Sequence, residues 1–282
     1  VLYTEKDVKE AARAFTGWRV TAAKPTPDAN FAVATGVVFT PRQFDNGTKT
    51  ILGQTGRWGD EDVVRIVTGK RECADYIGAK LWNFFAVQQP TDDMVDRTTR
   101  AYFDNDTSIR AMLRVILTSR EMYSDAAYRW RIKSPVENVV HTVRALGLTD
   151  RVPRMIRDTQ VQGQTLYDPP SVAGWNWGEA WVNSNTLLAR ANYANEITRR
   201  GRVGQNIDAA AFIQANSAAR TAEQIVDFVL DLFVGGDVDA ATRSTLIEHI
   251  GGTHFDFAQA NRSGALQGLF YLVLTMPLAQ LA

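Results

Sequence analysis

The chain has 282 residues, 45% of them hydrophobic and 22% charged, a globular composition with enough material for a core that needs no disulfide or metal to hold it. Its 31 Lys and Arg balance 31 Asp and Glu, which argues against a general nucleic-acid binder, since such proteins draw affinity from surplus cations. Cys73 is the only cysteine, so an internal disulfide and a cysteine-cluster metal site are excluded.

The chain opens on Val1 and reads almost at once as a helix start: Thr4 caps, and Asp7 stands three residues on. It therefore reads as cut from something longer. Residues 36–53 are the exception to helix. Asn46-Gly47 lies there between residues of β character and suits a type I′ turn, both of whose central positions take positive φ. This predicts one small β-hairpin over about 36–53, with Trp18–Val20 as a third strand. Gly53, Gly56 and Gly59 recur every three residues before a helix, a superficial phosphate-binding pattern. Asp60, Glu61 and Asp62 follow them, however, and put negative charge where the anion would bind.

Apolar residues then recur at spacings of three and four. Val63, Ile66 and Val67 form one set, Cys73, Ile77, Leu81 and Phe84 another, then Met94 to Tyr102 and Ile109 to Leu117. Asp104-Asn-Asp106 lacks the glycine and terminal glutamate of a calcium loop and reads as a helix boundary. The clearest start is Ser134-Pro-Val-Glu137, where Ser134 caps, Pro135 takes the first helical position and Glu137 completes a capping box.

Asp168 to Asn183 holds three of the seven tryptophans, Trp175, Trp177 and Trp181, among prolines and glycines that forbid regular helix. As a functional loop it offers indole faces for a sugar ring or a protein anchor, with Asn183 among the directional hydrogen-bonding groups. As a structural loop it is pinned to the helices by its own tryptophans, which is the preferred reading. Arg190, in the helix that follows, either reaches an acidic ligand or ties the loop's carbonyls in place. After Arg200 the glycines and alanines read as a linker, and Thr221-Ala-Glu-Gln224 opens another capped helix. The apolar stretch Leu266–Leu278 is too short to span a bilayer and contains Gly268 and Pro277. His141, His249 and His254 form no His-Glu-x-x-His set, Ser171 is in no nucleophile elbow, and no metal, cofactor or catalytic residue is assigned.

Several separated stretches, in order, carry a family resemblance. They are Tyr3-Thr-Glu-Lys-Asp-Val, Ala12-Arg-Ala-Phe-Thr-Gly-Trp18, the Phe-Asp-Asn-Gly-Thr-Lys-Thr-Ile-Leu-Gly run ending at Gly53, Lys133-Ser-Pro-Val-Glu137, Pro169-Pro-Ser-Val-Ala-Gly-Trp175 and Leu187-Leu-Ala-Arg190. Across residues 1 to about 198 the chain resembles the bacterial family catalogued as domain of unknown function 1800, as its C-terminal portion. The resemblance implies a further helical portion upstream, an exported or envelope-associated location and a sulfatase-like neighbour as a partner. It implies no reaction.

The expectation is therefore a mainly α protein. A helical core over 1–200 carries one hairpin and the tryptophan loop, and a smaller helical module follows over 201–282. Its expected role is that of an extracytoplasmic, non-catalytic protein-binding or scaffold component. The alternative is an extracellular carbohydrate-binding protein or hydrolase built on the Trp175–Trp181 loop. That alternative requires Trp175 or Trp177 to line an open groove faced by at least two carboxylates.

Overall fold

Side-chain caps set the helix starts. In a computed structural model, which describes residues 2–22, 34–201 and 204–282, the Thr4 hydroxyl accepts from Asp7 N and the Asp7 carboxylate accepts from Thr4 N, opening α1 (Glu5–Ala14). Further on in the first of two compact units, Val1–Tyr128, come α2 (Asp60–Thr68), α3 (Arg71–Phe85), α4 (Asp92–Asp104) and α5 (Ile109–Leu117). Thr91 and Ser108 cap α4 and α5. The last three helices pack together around Trp82, Met112 and Ile116, all fully buried. The Trp82 indole N–H donates to Met94 O at 2.9 Å, so the ring is buried without an orphaned donor.

Strands occur where β character was read, but the pairing differs. β1 (Trp18–Ala22) pairs antiparallel with β2 (Ala34–Phe39), and β3 (Lys49–Ile51) pairs with β4 (Gln54–Gly56). The tight turn of the second pair is Leu52-Gly53, with φ of 49° and 82°, and not Asn46-Gly47, neither of which has positive φ. Pro41 ends β2 by opening a 3-10 turn over Pro41–Gln43. The Asp45 carboxylate then takes the Gly47 N–H at 2.8 Å while Arg13 holds it through two nitrogens, at 2.7 and 3.1 Å. The Lys49 ammonium donates to Asp45 O and Gly47 O and sits 5.0 Å from the Phe44 ring. Asn46-Gly47 thus belongs to a loop wrapped around a buried lysine. Leucine is tolerated at the turn because Leu52 N donates to Asp7 Oδ1 at 2.8 Å and its side chain packs against the cluster of Ala14, Ile51, Val63 and Ile66.

The second unit, Arg129–Ala282, contains α6 (Pro135–Ala145), α7 (Met155–Val161), α8 (Ser184–Thr198), α9 (Ala209–Asn216), α10 (Ala222–Val234), α11 (Ala240–His249), α12 (Phe257–Ser263) and α13 (Ala265–Thr275). Ser134 caps α6 with Pro135 at its first position, and Glu137 accepts back from Ser134 N at 2.8 Å. Leu266, Leu269, Phe270 and Val273 of α13 are fully buried, so this helix is the centre on which α8, α9, α10 and α12 pack. Gly268 permits one close approach, since a Cβ there would lie 2.5 Å from His249 Nε2. Helices from both sides of residue 200 share this single core. Residues 202 and 203 of the expected linker lie outside the described residues. After them, Ile207 N returns to Ile197 O at 2.9 Å. Past α13, the 3-10 turn Pro277–Gln280 leads to a bridge between Leu281 and Ile132, flanked by Lys133 N to Gln280 O and Ala282 N to Arg131 O, both 2.7 Å. With thirteen α-helices and two small strand pairs among the described residues, the protein is mainly α.

Candidate functional site

The long connection from α7 to α8 is tied at both ends and open between them. At its start, Gln164 Oε1 takes the Val136 N–H at 3.0 Å, an otherwise orphaned donor in the first turn of α6. Gln162 Oε1 accepts from Asn138 Nδ2 at 2.9 Å. At its end, Asn183 Oδ1 accepts from Asn185 N and Thr186 N, both at 3.0 Å, and Thr186 Oγ1 takes Asn183 N at 2.9 Å. Asn183 is therefore the N-cap of α8, and its carbonyl oxygen is spent there.

The three indoles have three different fates. Trp181 is 7% exposed and lies in a short 3-10 turn, Gly178–Trp181, whose last carbonyl receives the Thr186 hydroxyl at 3.1 Å. Trp175 is half-buried and leans on Trp181, with ring centroids 5.7 Å apart. Trp177 stands 58% exposed. Tyr167 and Val172 of the same loop are wholly open to solvent, at 101% and 111%, and Leu188 in the second turn of α8 is also exposed. Tyr167 has φ of 62°, a left-handed backbone that is unusual for a bulky residue and confines it to few conformations. The loop is braced from within by Trp181 and displays Trp177, Tyr167 and Val172 outward.

Arg190 does not tie the carbonyls of the tryptophan loop. It is buried, donating NH1 to Gln280 Oε1 at 3.0 Å and NH2 to Lys133 O at 2.7 Å, so it joins α8 to residues 133 and 280 and touches no carbonyl of the tryptophan loop. Ser134, Pro135 and Glu137 are occupied at the start of α6, where Glu137 is also clasped by Arg131 at 2.7 and 2.9 Å. Asn46 and Gly47 lie in the other unit, in the loop around Lys49.

Periodicity gives no sign of a charged cluster formed by the turn before α7 with α7 and α8. Arg151, fully buried, grips Asp158 at 2.9 and 3.0 Å, reaches Glu196 at 3.4 Å and lies 5.3 Å from the Tyr193 ring. Burial pushes the Asp158 carboxyl above its usual range, against the pull of Arg151. A cleft of about 390 Å³ in the same unit is lined by Glu223, Ser244, Ile247, Glu248 and Gly252, without any tryptophan of the loop. Among the described residues no three His, Cys, Asp or Glu gather as a metal site, and no helix is long and apolar enough to cross a membrane. A family model described as "Protein of unknown function (DUF1800)" matches residues 2–281. No curated protein and no solved structure matches the chain.

Proposed function

The chain belongs to the DUF1800 family of proteins of unknown function, and from that footing we propose that it is a non-catalytic component that binds another protein through the loop between α7 and α8. The observation that carries this reading is the composition of what the loop exposes. Tyr167, Val172 and Trp177, with Leu188 in the helix that follows, mix aromatic anchors with bare aliphatic groups, as interface centres do. A sugar site would need directional polar groups around the indole. Asn183 is spent as a cap and Arg190 is buried against Lys133 and Gln280. Export belongs to the proposal, as does a sulfatase-like partner; both rest on the family resemblance.

A photo-crosslinking residue placed at Val172 of the full-length protein, in the cells that make it, tests the reading. One discrete protein adduct is expected, lost in a Trp177→Ser/Tyr167→Ser variant that keeps its helical circular dichroism. Fractionation of the same cells should recover the adduct outside the cytoplasm. No adduct, together with quenching of tryptophan emission by soluble oligosaccharides, would transfer the loop to the carbohydrate-binding reading, which Trp177 and the exposed Glu179 next to it favour.

A further inference from the structure

Positive charge is buried between α6 and α8 without a matching carboxylate. Lys133 and Arg190 are 9% and 3% exposed. The Lys133 ammonium donates to Ala279 O at 3.0 Å, and Arg190 donates to Gln280 Oε1 and Lys133 O. All of these acceptors are neutral. Arg190 Nε is buried with no acceptor, which is costly for a charged donor. Glu137 is the carboxylate whose field acts on both cations, but its oxygens are taken by Arg131 and Ser134 N. Burial depresses the Lys133 ammonium and brings Arg190 down to about 10, as expected for cations removed from water without an anion in return.

We propose that Lys133 and Arg190 form a binding site for an oxyanion, carboxylate or phosphate, which the segment Ala279–Ala282 now fills, with the Gln280 amide oxygen standing where one ligand oxygen goes. A guanidinium and an ammonium side by side make charge-assisted bonds to an oxyanion about twice as strong as bonds to neutral oxygens. The segment that must yield is held unevenly, firmly at Ala279 and Gln280 and lightly at Leu281 and Ala282. Ala279 and Gln280 are buried, and the Gln280 amide nitrogen donates to Leu274 O at 2.8 Å, whereas Leu281 is half-buried, Ala282 is exposed, and the two main-chain hydrogen bonds of one bridge secure them to residues 131–133. Release of the Leu281–Ala282 stretch lies at the low end of the free energies by which native proteins open, and release of Gln280 costs the bonds its side chain makes. The site is separate from the tryptophan loop and does not depend on what that loop binds.

Amide hydrogen exchange of the full chain at Lys133 and Ala282, whose N–H groups hold the segment down, reads the exchange of occupants. Inorganic phosphate and acetate are compared with chloride at matched ionic strength. At least one oxyanion is expected to speed exchange at both amides several-fold while raising the thermal midpoint, and chloride to do neither. A response to acetate alone identifies a carboxylate ligand, and one to phosphate alone a tetrahedral ligand. Gln280→Glu places a carboxylate on the Arg190 guanidinium, and is expected to raise the midpoint in chloride and to abolish the response. Gln280→Ala, which removes the neutral oxygen together with the amide nitrogen that donates to Leu274 O, should respond at lower oxyanion concentration and keeps the test open if the glutamate variant folds poorly. Unchanged exchange in both oxyanions overturns the proposal. So does slower exchange with a raised midpoint, which puts the ion elsewhere, or a glutamate variant that responds as the wild type does.

Discussion

Arg151 and Asp158 show how much a single buried pair can decide. Arg151 is fully buried, and Asp158 supplies it with two oxygens. Replacing Asp158 by Ala leaves a guanidinium inside the protein with Glu196 at 3.4 Å as its remaining carboxylate. Urea unfolding should then show a loss of about 3–5 kcal/mol, the usual result of removing one partner of a buried ion pair. Exchanging both residues for apolar ones of similar size, Arg151→Met with Asp158→Leu, should recover most of that loss. Asp45 makes the contrasting, pH-dependent case. Two Arg13 nitrogens and the Gly47 N–H hold its carboxyl down at about 2. A folded value below the unfolded one means that its contribution is complete above the ordinary carboxylate range and fades as pH falls toward 2. The thermal midpoint of the wild type should drop over that window, and the drop should be shallower in Asp45→Asn.

At the scale of elements, caps were the most legible feature of the sequence. Thr4, Ser134 and Thr221 each precede a residue three positions on that closes a capping box, and each starts a helix in the structure. The hairpin turn was not legible, because Asn-Gly is a local preference that distant partners overrode. Arg13 and Lys49 hold the Asp45–Gly47 loop in another shape, while Asp7 and the packed cluster hold Leu52 in a left-handed backbone. Gly53, at φ of 82° with no atom within 4 Å of where a Cβ would stand, should lose about 1–2 kcal/mol on conversion to Ala through backbone strain alone. Chemical denaturation monitored through the first unit checks this. In the candidate loop, the sequence indicated that tryptophans would brace an irregular segment, as Trp181 does, but not which indole faces outward. That choice depends on Thr186 drawing the Trp181 carbonyl toward α8, a contact fixed only once the Asn183 cap has formed.

For the whole molecule, the distribution of buried apolar residues separates two regimes. Among the described residues the second unit has one continuous core running from Val139 to Ala279, whereas the first holds three smaller clusters. Residues 129–282 produced alone should therefore unfold in urea in a single cooperative transition seen equally by circular dichroism and tryptophan emission. Separate transitions for the two probes would show that the core is not one cooperative body. Periodicity makes the mainly α character readable and the single cysteine the lack of a cysteine-based framework, but a core shared across residue 200 is not, because glycines and alanines look like a linker whether or not Ile207 returns to Ile197. The pairing of residues 131–133 with 280–282 also has a mechanical consequence. A pull transmitted through Ala282 loads its hydrogen bond to Arg131 O before that between Lys133 N and Gln280 O, so the two break in succession, like the teeth of a zip. Such peeling halts at Gln280, whose buried side chain is gripped by Arg190 on one side and by Leu274 O on the other.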